Sequence, residues 1–395
     1  MKYLILGAGP AGLSLACRLM QNGENDLLVI EKEAEGGGLC KSKDVDGSPL
    51  DIGGGHFLDV KKQDVLDLLF SFMDKSEWDL YERDSRIDVN GNIINSPIEA
   101  NIWQMSLEDQ VEYLKSIAVA GCNLGTDMPK KFVDWIYWKL GDKIADDYMI
   151  PYNKKMFGEE LNALGTYWLN KLPNVSFEET LISCLEKKAY GTQPGHASFY
   201  YPKKYGYGEL WKRMADSLSD KLILNTEITD IDLDTHTVNG EYNADVIIST
   251  IPWRSFKSIK GLSDVSLKGI ESLKYTSVVI EYIHENLDTK AQWIYYPDPD
   301  LSYHRILVRH NFCPDSRGYW TETNLTRFKS SDRPYFINEY AYPLNTVGKE
   351  EIMSSLLKEV SGKQVYGLGR WGEWQHYNSD VVVKLAIDMA DRFCS

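Results

Sequence analysis

Cysteine is scarce and unpatterned. There are six in 395 residues, no two form a CxxC pair, and none stands at metal-ligand spacing from a histidine. That removes a zinc module and argues against a disulfide framework, so the thiols are expected free, in a reducing compartment. No metal is expected. No apolar run approaches the about 20 residues that cross a bilayer. The first apolar stretch, Tyr3 to Leu6, goes straight into a glycine turn and is not a secretory leader. A cytoplasmic protein without a membrane partner is the expectation. Basic residues are outnumbered, 43 against 58 acidic ones, for a net charge of −15. Such a balance repels polyanions and leaves nucleic acid out as a partner, although a small anion still suits a locally basic cleft. Internal repeats and low-complexity segments are missing too.

What is present starts at the first residues. Residues 2–6 (KYLIL) are an apolar run ended by Gly7, as in a buried parallel strand. Residues 11–22 then carry helical spacing, and residues 27–31 (LLVIE) read as a second strand. Gly7, Gly9 and Gly12 form GxGxxG between the first strand and the helix. The first glycine permits the tight turn, the second lets backbone approach a pyrophosphate, and the third lets helix and strand pack closely. Pro10 and Ala11 open the helix, whose N-terminus offers N–H groups to phosphates. Glu31 ends the second strand, about 20 residues on, where an acid meets a ribose. These features together predict a dinucleotide site.

The choice between nicotinamide and flavin turns on the glycines beyond this unit. Glycines 36–38 and 53–55 come in two clusters soon after Glu31, with Leu39 and His56 beside them. Two more close approaches of backbone suit a long, extended ligand such as FAD. Further on, residues 62–74, 106–120 and 129–148 have helical periodicity, and 221–228 and 244–250 read as strands returning to the first sheet. Residues 276–283, 291–296, 303–310 and 335–342 are β-rich and aromatic, and 381–392 is helical. The expected fold class is α/β: a Rossmann-type FAD-binding domain with an inserted mixed lobe, part helical and part antiparallel sheet. The FAD-binding domain is expected over 1–60, 195–262 and 360–395, a helical substrate-side lobe over 61–194, and an antiparallel-sheet lobe over 263–359.

Several segments, in order, resemble the FAD superfamily of amine oxidases, porphyrinogen oxidases and UDP-galactopyranose mutase, and the mutase family most. GGGHF (53–57) resembles the loop beside the flavin, PIEANI (97–102) the nucleotide-binding segment, and PYNKKMF (151–157) the PYN-x-K-x-W motif. FYYPKKYGYGELW (199–211), WIYYP (293–297), YHR (303–305), YAYP (340–343) and GRWGEW (369–374) resemble its later motifs. The resemblance implies an unusual reaction. Reduced FAD acts as a nucleophile through N5 at the anomeric carbon of a nucleotide-diphosphate sugar, a pyranose becomes a furanose, and there is no net redox change. It also implies an external flavin reductant, NAD(P)H or a reductase.

Carried over by motif, Arg305, Arg370 and His56 are the candidate catalytic residues. Guanidinium groups suit a diphosphate because they are planar, permanently charged and bidentate. The flavin is expected on Gly7, Gly9, Pro10, Ala11, Gly12, Glu31, Lys32, Gly38, Leu39, Gly54, Gly55, His56, Ile228, Gly369, Arg370, Tyr377 and Asp380, with Asp380 capping the last helix. Glu99, Asn101, Tyr152, Asn153, Trp293, Tyr295, Arg305 and Tyr342 are the expected substrate contacts. The pattern breaks in two places. Ile150 stands where the family has an arginine before PYN, leaving Lys154 or Lys155 as possible substitutes. Ser96, Ile98 and Glu99 replace a segment that stacks and pairs with uracil, and Glu99 would suit a base with adjacent N–H donors. An FAD-dependent oxidoreductase of the amine oxidase type shares the N-terminal motifs and is the alternative, and a non-catalytic relative is a third reading.

Overall fold

The computed structural model describes residues 1–169, 172, 174–191 and 197–394. The first glycine turn lies where the sequence predicts it. Strand Tyr3–Leu6 is wholly buried, helix Pro10–Gln21 follows, and Leu27–Ile30 lies parallel to the first strand. The sheet has five parallel strands, in the order 222–223, 27–30, 3–6, 246–249 and 365–367. These strands are short and mostly apolar, as expected where helices cover both faces. The last helix, Ser379–Cys394, packs along Pro10–Gln21, with Val383, Ala386 and Ala390 fully buried. The loops at the carboxyl ends of these strands face one side, where an α/β sheet binds its ligand.

A seven-stranded sheet forms the other half. Its order is 335–343, 275–283, 319–324, 305–308, 293–295, 85–89 and 92–95. Pairing is antiparallel except between 293–295 and 85–89. Four of its strands match the β-rich stretches of the sequence. Tyr319–Asn324 and the 85–95 hairpin do not. The hairpin belongs to the stretch expected to be helical, and it extends the sheet by two strands. Its signal is Asn90-Gly91 between alternating runs: both residues have positive φ, 53° and 82°, and the Gly91 N–H donates to Asp88 at 2.9 Å.

The helices Leu107–Ala118, Phe132–Ile144, Ile150–Phe157 and Phe177–Glu186 pack together around Phe132, Ile136 and Ile144. Strand Ser198–Pro202 pairs with Trp78–Glu82 and leads into helix Gly208–Ser217. The border expected between 194 and 195 lies outside the described residues. Among the described residues no helix is long and apolar enough to cross a membrane.

Candidate active site

Two cavities meet at the junction of the halves. The larger, about 760 Å³, runs from Glu31 to His56 and is lined by the first glycine turn. Gly9 and Gly38 pack against each other in its wall: a Cβ on Gly38 would stand 3.1 Å from the Gly9 Cα. Gly12 lies outside the lining and packs instead, because a Cβ there would meet the Gly7 carbonyl oxygen at 2.0 Å. Gly7, Pro10, Ala11, Lys32, Leu39, Ile228, Arg370 and Tyr377 line the cavity with them. Glu31 accepts from the Ala8 N–H at 2.7 Å through one oxygen and from the Glu33 N–H at 3.0 Å through the other. Its remaining lone pairs can still accept from hydroxyls.

Besides Gly12, four residues expected to bind the cofactor are placed otherwise. Gly54 and Gly55 line the smaller cavity. Gly369 lines neither and packs on Ala11, where a Cβ would come within 2.8 Å. Asp380 does not cap the last helix. The helix begins at Ser379, the Asn378 carbonyl accepts from Val382, and buried Asp380 takes a 2.8 Å bond from Lys62. Lys62 is the nearer partner for its charge, so the carboxylate turns from the backbone to it.

The smaller cavity, about 240 Å³, shares Leu39, His56, Arg370 and Ser379 with the larger. The register of the seven-stranded sheet builds its wall. Tyr295, Arg305 and Glu322 are direct partners on three adjacent strands, so their side chains form one row on one face. Glu322 is buried and accepts from Arg305 at 2.6 Å and from the Gly55 N–H at 3.1 Å. One carboxylate thereby fixes an arginine and the glycine loop together. Burial works against the Arg305 charge, but Glu322 beside it carries its pKa well above the ordinary value. Arg370 reaches the same cavity from the short helix Gly369–Gly372 and donates to the carbonyls of Tyr377 and Ala341. Burial lowers its pKa, and Arg305 adds to the effect.

His56 stands at the junction. Its Nδ1 lies 2.8 Å from the Gly54 carbonyl oxygen, which can only accept, so Nδ1 carries a proton. Burial, then Arg370, pushes its pKa down to about 3. The ring is therefore neutral near pH 7, and Nε2 is left as an acceptor. The Tyr342 hydroxyl accepts from Arg305 at 3.2 Å and lines the cavity, so its own proton can go to a ligand. Trp293 lines the same wall.

The remaining substrate candidates stand back from this surface. Tyr295 lies behind it, and Tyr152 packs edge-on to Tyr295 with ring centroids 5.5 Å apart. Asn153 is buried and donates to the Met149 carbonyl. From that helix it is Met156 that reaches the cavity. Glu99 and Asn101 are buried outside both cavities. Burial raises the Glu99 pKa, and Asn101 donates to the Pro97 carbonyl. Neither lysine replaces an arginine at Ile150. Lys154 pairs with Glu159 at 3.5 Å, and Lys155 donates to the carbonyls of Tyr296 and Asp298. Arg83 and Glu322 escape sequence reasoning. No local motif marks them: cross-strand register brings Glu322 to the site, and the crossing between strands Trp78–Glu82 and Ser85–Val89 brings Arg83.

Residues 10–319 match the family of flavin containing amine oxidoreductases. The chain belongs to this family. A flavin is therefore its cofactor, and the glycine-lined wall, the helix N-terminus and Glu31 fit one. In fold the chain is similar to a reduced UDP-galactopyranose mutase, at 23% identity and a TM-score of 0.90 over 99% of this chain and 95% of that one. It is also similar to a candidate protoporphyrinogen oxidase from Exiguobacterium sp. 255-15, at 14% identity and a TM-score of 0.73 over 100% and 98%. A sequence relative, an uncharacterized protein in the nifH2 3′ region of Methanothermococcus thermolithotrophicus, is 45% identical over 53 residues, which are 13% of this chain and 50% of that protein. The match thus spans half the length of that curated relative.

Proposed function

We propose that this flavoprotein is a nucleotide-sugar mutase that interconverts pyranose and furanose forms with no net redox change. One observation carries the reading: Arg305 and Arg370, far apart in sequence, line one small cavity that opens onto the flavin cavity through His56. Bound FAD, in its reduced form, would supply the nucleophile. Arg305, held by Glu322, offers its charge to the leaving diphosphate. Tyr342 donates its proton to the same oxygens. His56 accepts a hydrogen bond through Nε2 and holds no charge that would compete for the anion. The substrate is a nucleoside-diphosphate sugar, and an external reductant, NAD(P)H or a reductase, would prepare the flavin.

The family also contains amine oxidases, which makes oxidation of an amine the second reading. A wall with three guanidiniums and one carboxylate repels an alkylammonium ion. The experiment is anaerobic: the protein is reduced with dithionite and incubated with UDP-, dTDP- and GDP-sugars, and products are separated by chromatography. A furanose product formed only in the reduced state is the expected result. Peroxide formation from an amine in air, without sugar conversion, would replace the mutase reading with the oxidase one.

A further inference from the structure

Arg83 comes from neither arginine motif, yet it lines the smaller cavity. It stands just past strand Trp78–Glu82, where the chain crosses from one sheet to the seven-stranded one. Its backbone is clamped on both sides by a single buried residue. The Gln292 side chain accepts from the Asp84 N–H at 2.9 Å and donates to the Glu82 carbonyl at 3.2 Å, and the Gln292 N–H donates to the Asp84 carbonyl. The Arg83 N–H donates to the Ala197 carbonyl. The guanidinium lies over the Trp293 ring at 5.0 Å and donates to the Tyr295 hydroxyl at 2.7 Å. Fixing the backbone and stacking the fork reduce the entropy lost when a ligand is gripped.

Charge gives this placement its meaning. Among the described residues lining the cavity, three are arginines and Glu322 is the one carboxylate, already bonded to Arg305. Arg370 directs donors to the backbone carbonyls of Tyr377 and Ala341. Tyr295 is the direct strand partner of Arg305, so Arg83, bonded to Tyr295, continues the cationic row along the Trp293 wall. We propose that Arg83 is a third anion-recognition residue, gripping phosphoryl or carboxylate oxygens of the ligand from the Trp293 side. This rests on the nucleotide-sugar reading for the identity of the anion. Two sources of the same chemistry are possible, a diphosphate and a sugar that carries a carboxylate.

The test titrates oxidised holoenzyme with pyrophosphate, UDP, GDP, glucuronate and glucose, following the flavin spectrum, for wild type, Arg83→Gln and Arg83→Lys. Flavin content and melting temperature report on folding. Arg83→Gln is expected to weaken anion binding roughly 10- to 100-fold, the range of hydrogen bonds to charged groups. Arg83→Lys keeps the charge without the fork and should fall between; if Arg83→Gln fails to load flavin, it carries the comparison alone. Weakening on pyrophosphate and the nucleotides assigns the phosphoryl source, and weakening on glucuronate alone assigns the carboxylate. Variants that bind every anion as wild type does would overturn the role of Arg83 and leave the nucleotide-sugar reading standing. A wild type that ignores diphosphates while Arg83→Gln loses glucuronate would do the reverse. A wild type that binds no anion would end both.

Discussion

The nucleotide end and the substrate face of this molecule are built by different logics. At the nucleotide end, each residue's role depends on close neighbours in the chain: a strand, a glycine turn, a helix and an acid, all within the first 31 residues. On the substrate face, Arg83, Arg305, Glu322 and Tyr342, with Tyr295 behind them, come from segments up to hundreds of residues apart, and sheet pairing and side-chain hydrogen bonds bring them together. Local architecture tolerates little change at its own positions. A register-built site tolerates change in the chain between its residues, but depends on each cross-strand partner.

The sharpest break of that comparison is at Gly12. An added Cβ would stand 2.0 Å from the Gly7 carbonyl oxygen, which is backbone and cannot swing aside. Gly12→Ala is expected to yield protein that is insoluble or carries no flavin, read as flavin absorbance per chain. A yellow, stable Gly12→Ala protein would mean that the turn is far softer than its packing implies.

Legibility in the sequence divides along the same line. The βαβ opening, the glycine loops and Glu31 are readable because their spacing is local and their geometry has few solutions. Arg305 and Arg370 are readable only through resemblance to a family. Arg83 and Glu322 are invisible, since nothing in ERD or TET says what lies across the strand. Glu99, Asn101 and Asn153 are assigned by motif position, and the structure buries them away from the cavity. A helical reading of 61–194 misses strands 85–89 and 92–95, whose one clear mark is the two-residue Asn90-Gly91 turn between helical stretches.

Glu322→Gln tests the dependence on a partner. It leaves the shape and the bond to Gly55 possible, but removes the buried charge that pairs with half-buried Arg305. Breaking such a pair costs about 3–5 kcal/mol. The expected outcome is a lower urea midpoint with flavin content unchanged. Unaltered stability would mean that the row is held by packing alone.

Asp51 ends strand Ser48–Asp51, paired with Ser42–Val45, and its effect is read in pH. It accepts from Ser42 at 2.5 Å, from Tyr201 at 3.0 Å and from the Tyr207 N–H at 3.2 Å, yet burial pushes its pKa up to about 6. A carboxyl raised above its unfolded value of 3.8 binds its proton more tightly in the folded state. Its contribution is complete below about pH 4 and is lost as pH rises through 6, a swing of about 3 kcal/mol. Asp51→Asn should remove that swing. Urea unfolding at pH 4 and pH 7.5 measures it, and an identical pH dependence in both proteins would exclude Asp51 as the source.

The smallest effects separate two adjacent lysines that the sequence alone cannot tell apart. Lys155 is buried and gives two hydrogen bonds to carbonyls of the loop before strand Arg305–Val308, at 2.8 and 2.7 Å. Lys155→Met keeps the apolar stem and leaves those oxygens without a charged donor, at a cost of about 2 kcal/mol. Among the described residues, Lys154 pairs with Glu159, at 3.5 Å, with both side chains well exposed. Solvent screens that pair, so Lys154→Met should lie within about 0.5 kcal/mol of wild type. Urea midpoints compare the two directly. Equal losses would mean that the 296–298 loop is not held by Lys155, and the wall behind Tyr295 would then have to be fixed by the sheet itself.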